Sequence, residues 1–229
     1  MAATSAPAAI ITFFAEDLAP GAGIPAALAT EQTNFTNAIS GSTGIEDFEG
    51  VAPGTTVPFA LSFPGTDDFI SATLNGGGAT VLDTPTTGDQ SGISGTNFLQ
   101  TTAANTSGFT IDFSSPISGL SFFGTDIGDI GASLTLRLTS FGGGTVDVAV
   151  GNTVGGPSGS LLFFGFFDDM DSYTSVQFIT DVAINDDFGF DDFTIVDSEA
   201  VRTIIPLPAS AFMLIGAVAG LGLIRRVTA

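Results

Sequence analysis

The sequence predicts an all-β protein: a two-sheet β-sandwich, jelly-roll-like, followed by a C-terminal transmembrane helix. Three observations predict it. Short apolar runs alternate with polar residues at period two, the pattern of a strand with one buried face. Turn residues separate the runs, with 30 glycines and 11 prolines in 229 residues. One uncharged apolar stretch, Leu207 to Ile224, comes at the end of the chain.

Taken in order, Ile10–Phe14 is the first candidate strand. Ala22–Ala38 is the best candidate for one short helix before the tail. Val57–Phe63, Ile70–Leu74 and Ala79–Leu82 are strand-length runs, and Phe109–Phe113 and Leu120–Phe123 read as two more. Leu134, Leu136 and Leu138 alternate with Thr135, Arg137 and Thr139. Val146, Val148 and Val150 repeat the pattern with Asp147 outward, and Gly142-Gly143-Gly144 between the two runs predicts a hairpin. Ser160–Phe167 holds Phe163-Phe164-Gly165-Phe166-Phe167, aromatic on both faces, as a strand covered on both sides requires. Ser175–Phe178 and Phe190–Val196 complete about ten strands, a number that suits a sandwich. The predicted division is residues 1–197 as one sandwich domain, 198–205 as a linker and 206–229 as a separate tail.

Composition removes whole classes of chemistry. There are 24 acids and 4 bases, all four of them arginines, and there is no Lys, His, Cys or Trp. Without His or Cys there is no Ser or Cys triad, no usual zinc centre and no thiol redox chemistry. Without Lys there is no Schiff base and no P-loop. A net charge of −20 argues against nucleic acid, whose phosphates need Lys and Arg. The asymmetry is sharp: up to Arg202 the chain carries 24 acids against two bases, and beyond it only Arg225 and Arg226.

Leu207–Ile224 is 18 residues long, close to the roughly 20 that span a bilayer. Pro206 and Pro208 fit only the start of such a helix. Gly216 and Gly220 are small residues of a kind frequent in membrane helices, and Arg225-Arg226 would stay on the cytoplasmic side. The run Ile205-Pro206-Leu207-Pro208-Ala209, then the apolar segment, then Arg225-Arg226, is similar to the VPLPA-CTERM variant of the PEP-CTERM sorting signal. Ile205 stands where that variant has Val, and the basic end is two arginines. The resemblance implies an exosortase-type membrane protease as partner, transient residence in the inner membrane, and release to the cell surface or the extracellular space. The start of the chain has no basic n-region, and its apolar run ends at Glu16-Asp17, so it does not read as a complete signal peptide. An upstream leader is expected.

The body also resembles the extracellular β-sandwich domains that precede this signal. Asp47-Phe48-Glu49-Gly50, Phe123-Gly124-Thr125-Asp126-Ile127-Gly128-Asp129 and Gly189-Phe190-Asp191-Asp192-Phe193-Thr194-Ile195 carry that likeness. Such domains mostly have no assigned activity.

The acids cluster at Glu46-Asp47-Glu49, Asp67-Asp68, Asp126-Asp129, Asp168-Asp169-Asp171, Asp186-Asp187 and Asp191-Asp192. Adjacent carboxylates repel unless solvated or neutralised, and calcium takes several carboxylate and carbonyl oxygens. The plain reading of each cluster is a solvated loop. No EF-hand is present, since Tyr173 and Thr180 occupy ligand positions of the one possible register. In a strand, neighbouring Asp191 and Asp192 face opposite sides, so one meets the interior, where an unpaired charge is costly. With so few bases, calcium is the expected partner, held by Asp191 or Asp192 with Glu49, Asp126 and Asp129. The function expected is that of a non-catalytic exported surface or matrix protein. The alternative is a calcium-dependent module binding exopolysaccharide. A glycan-cleaving enzyme is a third possibility, since paired carboxylates are the one acid–base chemistry left.

Overall fold

A computed structural model describes residues 10–198 except 40, 68, 86–87, 103–105 and 184–185. The rest of the linker, the apolar tail and the sorting-signal residues Pro206, Leu207, Pro208, Ala209, Arg225 and Arg226 lie outside the described residues. Among the described residues no helix is long and apolar enough to cross a membrane.

The described residues form twelve strands and one α-helix: β1 Ile11–Asp17, α1 Ala26–Ala38, β2 Thr43–Glu46, β3 Phe59–Ser62, β4 Ser71–Gly76, β5 Thr80–Leu82, β6 Phe98–Thr102, β7 Phe109–Thr125, β8 Leu134–Ser140, β9 Thr145–Ala149, β10 Leu161–Phe167, β11 Tyr173–Thr180 and β12 Asp187–Asp197. The pairing is antiparallel throughout and falls into two layers joined by β7. In the first layer, β3 pairs β4 and β4 pairs Phe109–Phe113 of β7. The same end of β7 pairs β11, and β8 and β9 follow. In the second layer, Gly119–Thr125 of β7 lies between β10 and β12. β1 extends this layer beyond β10, while β2 and β6 pair opposite ends of β12 and β5 follows β6.

The two halves of β7 have different sequences because they have different surroundings. Phe109–Phe113 alternates, with Phe109 and Ile111 buried and Asp112 exposed. Ile117–Thr125 is buried continuously. Pro116, which has no N–H to give a ladder, falls where β7 has left β4 and has not yet met β10. The predicted strands Phe109–Phe113 and Leu120–Phe123 are therefore one strand.

Phenylalanines from both layers meet in the core. Phe109 of the first layer lies 5.3 Å from Phe190 of the second, and Phe178 lies 5.2 Å from Phe122 and 5.1 Å from Phe190, ring centre to ring centre. The other face of the second layer is covered by α1. Leu28 and Phe35, two turns apart on the helix, pack with Phe123, Phe163 and Val196. This is why all seven residues of β10 are buried. A Cβ at Gly165 would come within 2.8 Å of the Phe35 ring and 3.0 Å of Ser121 Cβ, so glycine lets the helix approach the sheet.

The short helix and the hairpin fall where the sequence places them, with Arg137 opposite Asp147 in the β8–β9 ladder. β2 and β6 have no apolar alternation, and β12 supplies the partner that makes them strands. Ile11–Asp17, next to the chain start, is a strand paired with β10.

Candidate functional site

Among the described residues one salt bridge forms, Arg137 to Asp147 at 2.8 Å. Buried acids therefore need other donors. Backbone N–H groups of one loop, residues 88–97 between β5 and β6, supply three of them, to Asp126 and Asp191.

Asp126 follows the last residue of β7 with a left-handed φ of 63°, which Asp adopts more readily than most side chains. It is 1 % exposed. Its Oδ2 accepts from Asp89 N at 3.0 Å and from the Gln90 side-chain amide at 2.7 Å. Its Oδ1 accepts from Gly159 N at 2.6 Å and Ser158 Oγ at 3.0 Å. A Cβ at Gly88 would sit 2.4 Å from Asp126 Oδ2, so only glycine lets the loop start this close.

Asp191 is the interior-facing acid of its pair and has no exposed surface. Its Oδ2 accepts from Ile93 N at 2.6 Å and Ser94 N at 3.2 Å, and its Oδ1 from Asp192 N at 2.8 Å. Burial pushes its carboxyl up to about 7, with the charge of Asp192 adding to the rise and the three N–H groups opposing it. The Asp191–Thr194 stretch departs from regular register, and Asp192 takes a φ of 51°. The Asp192 carboxylate accepts from Ser94 Oγ. Burial raises its pKa too, with Asp47 adding to the rise.

Glu49 accepts from Thr96 N at 2.7 Å and Asn97 N at 2.6 Å through one oxygen. The Asn97 side-chain amide returns two bonds, to Phe48 O at 3.1 Å and Val51 O at 3.0 Å. The loop is thus fastened at its start, middle and end.

Four of the five predicted metal ligands, Glu49, Asp126, Asp191 and Asp192, meet on this loop, where both oxygens of Asp126 and Asp191 and one oxygen each of Glu49 and Asp192 accept from N–H or O–H donors. Among the described residues no three acids come together in a way that could hold a metal ion. Asp129 differs. Its Oδ1 is buried with no hydrogen-bond partner. Burial first, then the charges of Asp126, Asp186 and Asp89, push its carboxyl up to about 6.

Two other clusters follow the same rule. Glu46 accepts from Phe48 N at 2.9 Å and Ser62 N at 2.8 Å. Asp168 accepts from Met170 N at 2.9 Å, Asp171 N at 3.1 Å and the Tyr173 hydroxyl at 2.7 Å.

Loop 88–97 forms one wall of a cleft of about 140 Å³, through Asp89, Ser91, Gly92 and Ile93. Pro20, Gly21, Gly23 and Ile24, between β1 and α1, form another, and Thr125, Gly159, Ser160 and Leu161 complete it. Asp89 is the one carboxylate among these residues. Sequence reasoning missed Asp89, Gln90, Ser91 and Ser94. They lie in a Gly- and Ser-rich connection with no motif, and the only available signal was its position between two apolar runs.

No protein-family model matches the chain, and no curated protein matches it. Solved structures with a similar trace include the K2 cleaved adhesin domain of Lys-gingipain, with 13% identity, a TM-score of 0.42 and coverage of 67% of this chain and 97% of that one. The family 11 carbohydrate-binding module of the cellulase Lic26A-Cel5E of Clostridium thermocellum is 11% identical, with a TM-score of 0.33 over 69% of this chain and 95% of that one. TmCBM61, solved with β-1,4-galactotriose, is 13% identical, with a TM-score of 0.29 over 56% of this chain and 88% of that one. The scores are low, and the likeness stops at the chain trace.

Proposed function

We propose that the chain is an exported, non-catalytic cell-surface or matrix protein, held in the inner membrane by its C-terminal signal and processed there by an exosortase-type protease. The observation that carries this reading is the order Pro206-Leu207-Pro208-Ala209, 18 uncharged residues counted from Leu207, and Arg225-Arg226, placed after an acidic sandwich. Intact-mass analysis of secreted material is expected to show a chain shortened within this signal. Full-length chain ending at Ala229 outside the cell would count decisively against it. Replacing Pro206 and Pro208 is expected to leave the protein in the inner membrane.

A second reading, a calcium-dependent module for exopolysaccharide, is favoured by the cleft beside loop 88–97. Its single carboxylate suits binding more than hydrolysis, which needs two. For calcium, the supporting observation is the unpartnered Oδ1 of Asp129. Pull-down on the producing cell's polysaccharide, with calcium and with chelator, tests both parts. Retention lost on chelation supports the calcium-dependent form, and equal retention leaves a module without calcium.

A further inference from the structure

We infer that the cleft is a binding site for one neutral pyranose ring at the end of a glycan chain, an inference that rests on the carbohydrate-binding reading and narrows it. Size is the first ground. Drug-sized ligands occupy pockets of roughly 300–1,000 Å³, whereas this cleft of about 140 Å³ holds one ring and not a run of them.

The walls are the second ground. A pyranose presents hydroxyls at its edge and C–H groups on its faces. Ile24, Ile93 and Leu161 offer aliphatic surface for the C–H groups. Asp89, Ser91 and Ser160 offer partners for the hydroxyls. Asp89 Oδ2 already accepts from Ser158 Oγ at 2.9 Å, and a carboxylate has further lone pairs to accept from sugar O–H groups. Ser160 Oγ accepts from Gly128 N at 2.7 Å and keeps its own proton to donate.

Charge is the third ground. Arg137, the one arginine among the described residues, is bound to Asp147 on the β8–β9 hairpin, and the ionisable groups on the cleft loop and its clamps are all acids. A uronate, sulfate or phosphate group would meet repulsion with no free cationic side chain among the described residues to offset it.

Rigidity is the fourth ground. Among the described residues four non-glycine residues have positive φ, and two of them, Asp126 and Asp192, are clamps of the loop that walls the cleft. Backbone held in such regions gathers where geometry must be fixed. A wall fixed before the ligand arrives has less ordering entropy to lose on binding.

The test is calorimetric titration of the full chain, in a detergent without a sugar head group. The probes are methyl glycosides of glucose, galactose and mannose, with glucuronate as the charged control. At least one neutral glycoside is expected to bind and glucuronate is not. Ser91→Phe, at an exposed position, fills the cleft, and Asp89→Ala removes its carboxylate. Each is expected to weaken binding about tenfold or more without shifting the thermal midpoint. Binding unchanged in both variants would overturn the cleft assignment and leave the carbohydrate-binding reading standing. Glucuronate binding as tightly as its neutral analogue would overturn the neutral class. If neither the glycosides nor the cell's own polysaccharide binds, both readings fall.

Discussion

Asp191 shows how an acidic chain with few bases keeps a carboxylate in its core. The charge meets three N–H dipoles, two of them from a segment 98 and 97 residues away in sequence. Removing the acceptor leaves those donors unpaired in a dry place, and the cost follows from that. Asp191→Ala is expected to lose about 1–3 kcal/mol in urea unfolding. Asp191→Asn, which keeps one acceptor oxygen, is expected to lose less. The sequence made one half of this legible. Two acids side by side in a strand must place one of them inside, and that residue is Asp191. The partner was not legible, because the donors are the main-chain amides of Ile93 and Ser94, and a backbone N–H leaves no mark in a sequence. The scarcity of cations is legible too, but the main-chain amides that face the same carboxylates are not.

Among the elements, β10 was the most readable. Aromatic residues on both of its faces required cover on both sides, and the cover is α1 on one face and the first layer on the other. Gly165 is the narrow point of that packing. Gly165→Val is expected to push Phe35 off the sheet and to lower stability by about 1–3 kcal/mol, with the amides of α1 losing protection in hydrogen exchange before those of β8 and β11. Uniform loss of protection would show that the helix is not a separable layer. β7 was the least readable element. Ser114-Ser115-Pro116 looks like a turn between two strands, and only the change of partners, which no local pattern encodes, makes it part of one continuous strand.

At the scale of the molecule, 24 acids against 4 arginines make the compact state self-repelling at neutral pH. Asp191 adds to this with a definite sign. Its carboxyl is raised from 3.8 to about 7 in the folded protein. Between those values the folded state holds a proton that the unfolded chain has released, so stability rises as pH falls through this window and is lost as pH rises through about 7. Thermal melts are expected to show a higher midpoint near pH 5 than near pH 8. A midpoint that falls on acidification over this range would mean that Asp191 is held as the charged form. The β character of the whole was legible in period-two alternation and turn spacing. The cleft was not, because it is built from connections and strand ends drawn together from four distant parts of the chain.

The β8–β9 ladder also bears on resistance to proteolysis. Trypsin-like proteases cut after Lys or Arg, and before Arg202 this chain offers them only Arg137. That residue lies mid-strand, in register with Gln177 of β11 on one side and Asp147 of β9 on the other. Its guanidinium is tied to the Asp147 carboxylate by two bonds of 2.8 Å. A protease must draw its substrate out as a free extended segment, and here that segment is already bound along both edges. Digestion of the sandwich by such an enzyme therefore waits on the opening of the sheet itself.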